Sequence, residues 1–201
     1  MKQFKTNDYD IVAKKTIFER FFKVDLYQVR HKLFAGGWSQ AFYREVLERG
    51  EAVMLIPYDP VTDQLLLIEQ FRIGAANSAT SPWLLEFIAG MIGEGETASQ
   101  VAVKEAQEEA NLVINEGDLQ SIMSFYTSPG GTSEKIHLFY VDVDSSHFKH
   151  GQIAGLDCEN EDIRTHVVSL EQALGYLAEG KINNASTIIG LQWLALNKGQ
   201  L

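Results

Sequence analysis

Apolar positions recur along the chain with two periods. Phe22, Val24 and Leu26 alternate with Lys23, Asp25 and Tyr27, the pattern of a half-buried strand. Ala35-Gly36-Gly37 marks a turn, and residues 38–47 predict a returning strand. Residues 53–57 and 65–70 are more continuously apolar and are joined across Asp59-Pro60-Val61-Thr62-Asp63, which predicts a buried hairpin. Residues 83–89 predict a further strand ending at Gly90. From Thr97 to Ala110 the composition turns helical, with Asn111 at the C-terminal stop. Strands are predicted at 121–127 and 135–143, separated by Ser128-Pro129-Gly130-Gly131, and again at 164–169. Helices over 170–178 and 185–197 close the chain.

Mixed strands with interspersed helices predict an α/β or α+β sandwich. Residues 1–50 read as a separate antiparallel β module ahead of a larger domain over 51–201. The module is too small for a core of its own, so it is expected to pack on the rest or on a partner chain.

The chain has 201 residues, 45% hydrophobic and 22% charged, which excludes disordered and collagen-like classes. A net charge of −10 argues against a nucleic-acid partner, because only Arg30, His31 and Lys32 cluster as a basic patch. An acidic protein that handles phosphates needs a divalent cation to offset the repulsion. The single cysteine, Cys158, excludes an intrachain disulfide framework and a cysteine-built zinc site; it is expected to be a small buried hydrophobe without a role. MKQFKTNDYD has no apolar core of signal-peptide length, and runs such as Val53-Met54-Leu55-Ile56 are too short for a bilayer. The expectation is a cytoplasmic protein with no membrane contact. The sequon Asn184-Ala185-Ser186 is then a chance match. The five histidines, including His147 and His150, form no convincing ligand set.

Candidate chemistry concentrates in residues 90–112, GMIGEGETASQVAVKEAQEEANL. On a helix Glu105, Glu108 and Glu109 share an arc of roughly 100°, while Val103, Ala106 and Ala110 lie on an apolar face. Three carboxylates on one stripe repel each other. The plain explanation is a solvated face, helped by a Lys104–Glu108 pair at i+4. The context offers another. A Gly-rich loop (Gly90, Gly93, Gly95) joins a strand to this helix and can aim a backbone carbonyl and helix carboxylates at one point. Hard cations such as Mg²⁺ take oxygen ligands and share them with substrate phosphates.

These residues resemble the Nudix box, G-x5-E-x7-R-E-U-x-E-E-x-G-U with U aliphatic. Gly90, Glu96, Glu105, Glu108 and Glu109 stand in register. Two positions depart. Lys104 replaces the Arg, keeping the charge but losing its planar fork. Asn111 replaces the Gly, and Asn is the next most tolerated residue in a left-handed cap. Both are expected to tune activity rather than abolish it.

Across most of the chain the sequence is similar to the bacterial ADP-ribose pyrophosphatases within that family. The supporting stretches are FFKVDLY, YREVLERG, LIEQFRIGA, PWLLEFIAGM, SPGGTSE, ENEDIR and KINNASTIIGLQWL. The resemblance implies a Nudix-type α/β/α sandwich with a mixed β-sheet, and Mg²⁺-dependent cleavage of ADP-ribose to AMP and ribose 5-phosphate, with Mn²⁺ as a substitute metal. It also implies a homodimer that exchanges N-terminal strands and shares its sites between subunits.

The same resemblance assigns roles. Metal ligands would be the Ala89 carbonyl, Glu105, Glu109 and Glu161. Glu159 matches the general base; otherwise Glu159 and Glu161 belong to a surface acidic loop. Glu108 would be either a metal ligand or the partner of Lys104. Arg44, Glu45 and Arg72 match substrate contacts, although a strand arginine such as Arg44 more often pairs with Glu45 or a neighbour. Phe21 and Phe22, on opposite sides of a strand, would supply one core ring and one ring to stack on a base. Met91, Ser128, Pro129, Gly130 and Glu134 match further substrate positions; residues 128–131 otherwise form only a turn.

Two other functions stay open. One is a diphosphatase for GDP-mannose or another nucleoside-diphosphate sugar, because the box is blind to base and sugar. The other is a non-catalytic nucleotide-sensing module, which would be expected to show degenerate glutamates or an added DNA-binding segment. The sequence has neither.

Overall fold

A computed structural model describes residues 4–77 and 81–201, so the first three positions of MKQFKTNDYD lie outside the described residues. The chain forms two compact units. One comprises the chain up to Gly50 together with Tyr126–Lys135; the other comprises Glu51–Phe125 and Ile136–Leu201.

The smaller unit is built on an antiparallel sheet of β1 (Tyr9–Glu19), β2 (Lys23–His31) and β3 (Phe42–Glu48), in that order. Its register pairs Lys14 with Tyr27 and Tyr27 with Arg44. The alternation expected around residues 22–27 is inverted. Val24 and Leu26 are only half-buried, Phe22 is exposed, and the fully buried side chain is Asp25. Thr16 Oγ1 donates to Asp25 Oδ1 at 2.6 Å, and Lys14 Nζ lies 2.9 Å from Oδ2. A buried carboxylate needs such partners, so a polar residue at a core-facing position signals a cross-strand ion pair. β3 is also shorter than expected, because Trp38 makes only an isolated bridge to Lys32. The segment Tyr126–Lys135 joins this unit through a parallel bridge from Leu47 to Thr132.

The larger unit has an eight-stranded mixed sheet. Its central path runs β10 (Ile153–Ala154), β11 (Ile163–Ser169), β5 (Gln64–Phe71), β4 (Glu51–Asp59), β9 (Lys135–Asp142), β8 (Leu119–Tyr126). The expected hairpin is β4–β5, with Tyr58 opposite Leu65. Asp59 tightens its turn by accepting the Val61 and Thr62 amides on Oδ1, while its Oδ2 accepts Ser145 N–H at 2.9 Å. The strand expected over 83–89 is two strands interrupted at Phe87. β6 (Trp83–Glu86) pairs with β5, and β7 (Ile88–Met91) pairs with β4. The break lets Phe87 turn into the core while β7 delivers Ala89 and Gly90 to the neighbouring strand.

Helices cover both faces. On one, Val53, Leu55, Leu66 and Ile68 pack with Val101, Ala102 and Ala106 of α1 (Ala98–Ala110). On the other, Met54, Ile56, Leu65 and Leu67 pack with Leu170 and Ala173 of α2 (Leu170–Ala178) and Leu191 and Leu194 of α3 (Ala185–Asn197). Period-two alternation of residues that are apolar on both sides makes β4 and β5 the buried middle of three layers. The α/β/α sandwich expected from the sequence is the fold.

Candidate active site

Helix α1 is fixed at both ends by its own sequence. The Thr97 hydroxyl accepts Gln100 N–H at 3.2 Å, and Gln100 Oε1 accepts Thr97 N–H at 3.0 Å. Such a capping box stabilises a helix by about 1 kcal/mol. At the other end Asn111 adopts φ 51°, and its amide donates to Gln107 O at 3.0 Å. Asn thus performs the cap that Gly would. In the preceding loop Glu96 folds back to accept Gly93 N–H at 2.8 Å, so this carboxylate shapes its own loop.

The acidic stripe is not a solvated face. Glu109 is 2% exposed. Its Oε2 accepts the Ala89 amide at 2.9 Å and its Oε1 accepts Gln70 Nε2 at 3.3 Å. Glu105 is half-buried and leans on Gly90, where a Cβ would fall 2.2 Å from Glu105 Oε1. Lys104 Nζ lies 3.4 Å from Glu105 Oε1, so the lysine pairs with its neighbour rather than with Glu108. Glu108 is half-buried and offers its backbone carbonyl to Gly155 N–H at 3.0 Å.

Burial pushes the Glu109 carboxyl up to about 8; the Ala89 amide opposes this, while the charges of Glu105 and Glu161 add to it. Burial likewise raises Glu105 to about 7, against Lys104 and with Glu108 and Glu161. Glu161 therefore lies within electrostatic reach of both helix carboxylates, although it comes from a loop fifty residues away in sequence.

That loop is held by its backbone. Gly155, at φ 99°, docks on the Glu108 carbonyl, and a Cβ there would lie 2.8 Å from Glu161 Cβ. Glu161 in turn accepts Leu156 N–H on Oε2 at 3.3 Å. Glu159 ends a short 3-10 turn, Asp157–Glu159, and is exposed. Cys158 beside it is exposed too. The expectation of a buried thiol fails because this turn presents its side chains to solvent.

Arg72 follows β5 and is held by Glu86 of β6, Nε to Oε2 at 2.8 Å. Its positive charge also lowers the Glu109 carboxyl. Met91 ends β7 with its side chain exposed. Ala89, Glu105, Glu108, Glu109, Glu159, Glu161, Arg72 and Met91 thus all belong to the larger unit.

The remaining predicted residues belong to the smaller unit. Phe21 and Phe22 are not on opposite sides of a strand. Both sit in the bend between β1 and β2, with rings 5.0 Å apart and edge-on, and Phe21 is 91% exposed. Neither is a core ring. Arg44 forms no ion pair among the described residues; it donates to Tyr43 O and lies 4.6 Å over the Phe42 ring. Glu45 is exposed. Ser128 O accepts Gly131 N–H and Thr132 N–H at 3.0 Å, so residues 128–131, including Pro129 and Gly130, do form a turn. Glu134 accepts Thr127 Oγ1 at 2.9 Å and Arg49 Nε at 3.2 Å, and the Arg49 guanidinium lies 5.1 Å over Phe22. Arg49 is a functional candidate that sequence reasoning missed. So are Gln70, Glu86 and Gly155. The quoted stretches YREVLERG and LIEQFRIGA contain the first two, but strand periodicity alone does not show which polar residue turns inward.

Among the described residues no three His, Cys, Asp or Glu side chains are gathered closely enough to hold a metal as they stand. The chemistry of the donors still fits a hard divalent cation. Glu105 and Glu109 are carboxyls raised by burial, the first also by Glu108 and the second by Glu105, with Glu161 adding negative field to both. A Cβ at position 90 would displace the Glu105 carboxylate. Oxygen donors in a site short of positive charge suit Mg²⁺ or Mn²⁺.

Residues 39–189 match the model of the NUDIX domain. The chain is 49% identical over 194 residues to the ADP-ribose pyrophosphatase of Escherichia coli strain K12, covering 96% of this chain and 91% of that protein. It is 48% identical over 204 residues to the ADP-ribose pyrophosphatase of Haemophilus influenzae, covering 100% and 92%. A GDP-mannose pyrophosphatase of Pectobacterium atrosepticum is 30% identical over 184 residues, covering 91% and 92%. A solved structure described as an ADP compounds hydrolase superposes with a TM-score of 0.64 at 23% identity, covering 100% of this chain and 98% of that one. The last likeness speaks to the fold alone.

Proposed function

The chain belongs to the Nudix family, and from that premise we propose that it hydrolyses the diphosphate bond of ADP-ribose to AMP and ribose 5-phosphate with the help of Mg²⁺. The observation that carries the substrate is the 48–49% identity to two ADP-ribose pyrophosphatases over more than nine-tenths of each. The 30% identity to a GDP-mannose pyrophosphatase ranks GDP-sugars second.

In this reading Glu105, Glu109, Glu161 and the Ala89 carbonyl hold the cation, for which Mn²⁺ can substitute. When bound, the cation screens the diphosphate and polarises its oxygens. The helix supplies Glu105 and Glu109, the first leaning on Gly90 and the second accepting the Ala89 amide. Glu108 lends further negative charge and its carbonyl ties down the distant loop. Glu159, exposed at the end of its turn, orients water and takes its proton as general base. The Arg72 guanidinium, steadied by Glu86, directs its free N–H groups at phosphate oxygens. Met91, exposed at the end of β7, is proposed as a further substrate contact.

Phe21, Phe22, Arg44, Glu45, Ser128, Pro129, Gly130 and Glu134 are proposed as further substrate contacts, with one of the two phenylalanine rings stacking on the base. A homodimer sharing its sites between subunits is part of the proposal, supported by exposed apolar side chains on the three-stranded sheet such as Ile11, Phe18 and Tyr43. Among the described residues no helix is long and apolar enough to cross a membrane. An exposed free thiol suits the reducing cytoplasm to which the reaction is assigned.

The test is a panel of ADP-ribose, GDP-mannose and other nucleoside-diphosphate sugars, with product phosphomonoesters released as phosphate by added phosphatase, with and without Mg²⁺. ADP-ribose should show the highest kcat/KM and require the metal. Faster GDP-mannose turnover would transfer the assignment to GDP-sugars. Binding without metal-dependent hydrolysis would indicate a sensing module.

A further inference from the structure

Gln70 is one of very few buried polar side chains in the described residues, and the proposed reaction gives it no part. It sits near the end of β5, beyond the buried run Leu65, Leu66, Leu67 and Ile68. Alternation puts it on the face of Leu66 and Ile68, toward α1. An amide at such a place costs stability unless its hydrogen bonds are made. Its partner is Glu109 Oε1, at 3.3 Å, across the boundary between sheet and helix.

We propose that Gln70 is a positioning residue that holds Glu109 in the orientation needed to ligate the cation. The two oxygens of Glu109 are held separately. Ala89 N–H, from β7, engages Oε2, and Gln70 Nε2, from β5, engages Oε1. One donor alone would leave the carboxylate free to rotate about its last bond; two donors from different strands define its plane. Each sp² oxygen keeps a further lone pair for a metal.

The residue type follows from the charge balance. A lysine or arginine at position 70 would neutralise Glu109 and compete with the cation. A carboxylate would add repulsion to a site already crowded by Glu105 and Glu161. A neutral amide donates a proton without changing the charge. Outer hydrogen bonds of this kind orient metal ligands, and losing one costs roughly 10–100-fold in affinity.

The inference rests on Glu109 being a metal ligand, so the experiment tests the two separately. Mn²⁺ is titrated into the full-length protein without substrate, following free Mn²⁺ by electron paramagnetic resonance. The proteins compared are the wild type, Gln70→Met, Gln70→Asn and Glu109→Gln. Met conserves volume and chain shape but cannot donate; Asn keeps the amide but falls short of Glu109. Near-ultraviolet circular dichroism shows which variants are folded, and either Gln70 variant suffices.

The expected result is a Kd for Mn²⁺ raised about 10–100-fold in a folded Gln70 variant. At saturating Mn²⁺, kcat and the substrate KM should return to within a few-fold of wild type, because Gln70 is assigned no substrate contact. An unchanged Kd in a folded Gln70 variant, beside lost binding in Glu109→Gln, overturns the positioning role and spares the ligand. A lower melting temperature with unchanged Kd does the same, by showing a purely structural role. Unchanged binding in Glu109→Gln instead overturns the ligand assignment and, with it, this inference.

Discussion

Glu105 occupies the space that any side chain at position 90 would need: a Cβ on Gly90 would lie 2.2 Å from Glu105 Oε1 and 2.3 Å from its Cδ. The glycine of the box is therefore a matter of clearance for the Glu105 side chain, which leans on strand β7 where position 90 has no Cβ.

Gly90→Ala should push Glu105 out of place while the buried sheet beneath survives. Turnover should fall about 100-fold, the scale of loss that a 1 Å misplacement produces, with circular dichroism showing a folded protein. A Gly90→Ala enzyme with wild-type kcat would show that Glu105 can swing aside at no cost.

Glu109→Gln keeps the shape and removes the charge. Loss of a charged ligand should exceed the loss of an outer hydrogen bond, so metal affinity and turnover should each fall by more than about 100-fold. Activity measured across Mg²⁺ concentrations checks this. Near-normal rates at limiting and saturating metal alike would remove Glu109 from the ligand set.

Glu159 is exposed, so Glu159→Gln should leave the fold and the substrate KM nearly unchanged. Loss of a general base should lower kcat by about 10²–10⁴-fold. A rise in KM at constant kcat would make Glu159 a binding residue and send the search for the base elsewhere.

Asp59 offers a test of the fold that is independent of the reaction. Burial alone would raise its carboxyl, but hydrogen bonds from Ser145 and Thr62 outweigh burial and hold it well below the usual range. The unfolded chain thus takes up the proton first as pH falls. The stabilisation is complete above the ordinary carboxylate value of about 4 and drains away below it. Asp59→Asn places an amide where Ser145 N–H requires an acceptor, at a cost of about 1–3 kcal/mol near neutral pH. Urea denaturation from pH 3 to 7 should show this gap narrowing toward acid. A constant gap would mean that the charge of Asp59 contributes nothing.

The local elements were readable because their signals are local. Thr97 and Asn111 bound α1 through bonds to residues within about one turn, and helices over 170–178 and 185–197 coincide with α2 and α3. The β4–β5 hairpin followed from its Asp-Pro turn. Alternation was a poorer guide where ion pairs intervene. It put Val24 and Leu26 inside β2, but the buried side chain is Asp25, because on the adjacent strand Lys14 neutralises it and Thr16 donates a hydrogen bond to it. It also put Phe21 and Phe22 in a strand, although the chain bends there to enter β2.

The spacing of Gly90, Glu96, Glu105, Glu108 and Glu109 determined by itself which carboxylates share a helix stripe, since the helical repeat converts sequence separation into angle. It could not say that Glu109 is buried against Ala89 and Gln70, nor that Lys104 turns to Glu105, nor that Gly155 brings Glu161 within reach of both helix carboxylates. Apart from Lys104 and Glu105, which are adjacent, those relationships reach the helix carboxylates from 20 or more positions away. They exist only after strands and helix have packed, because burial and the loss of solvent screening decide which charges interact and which donors each carboxylate finds.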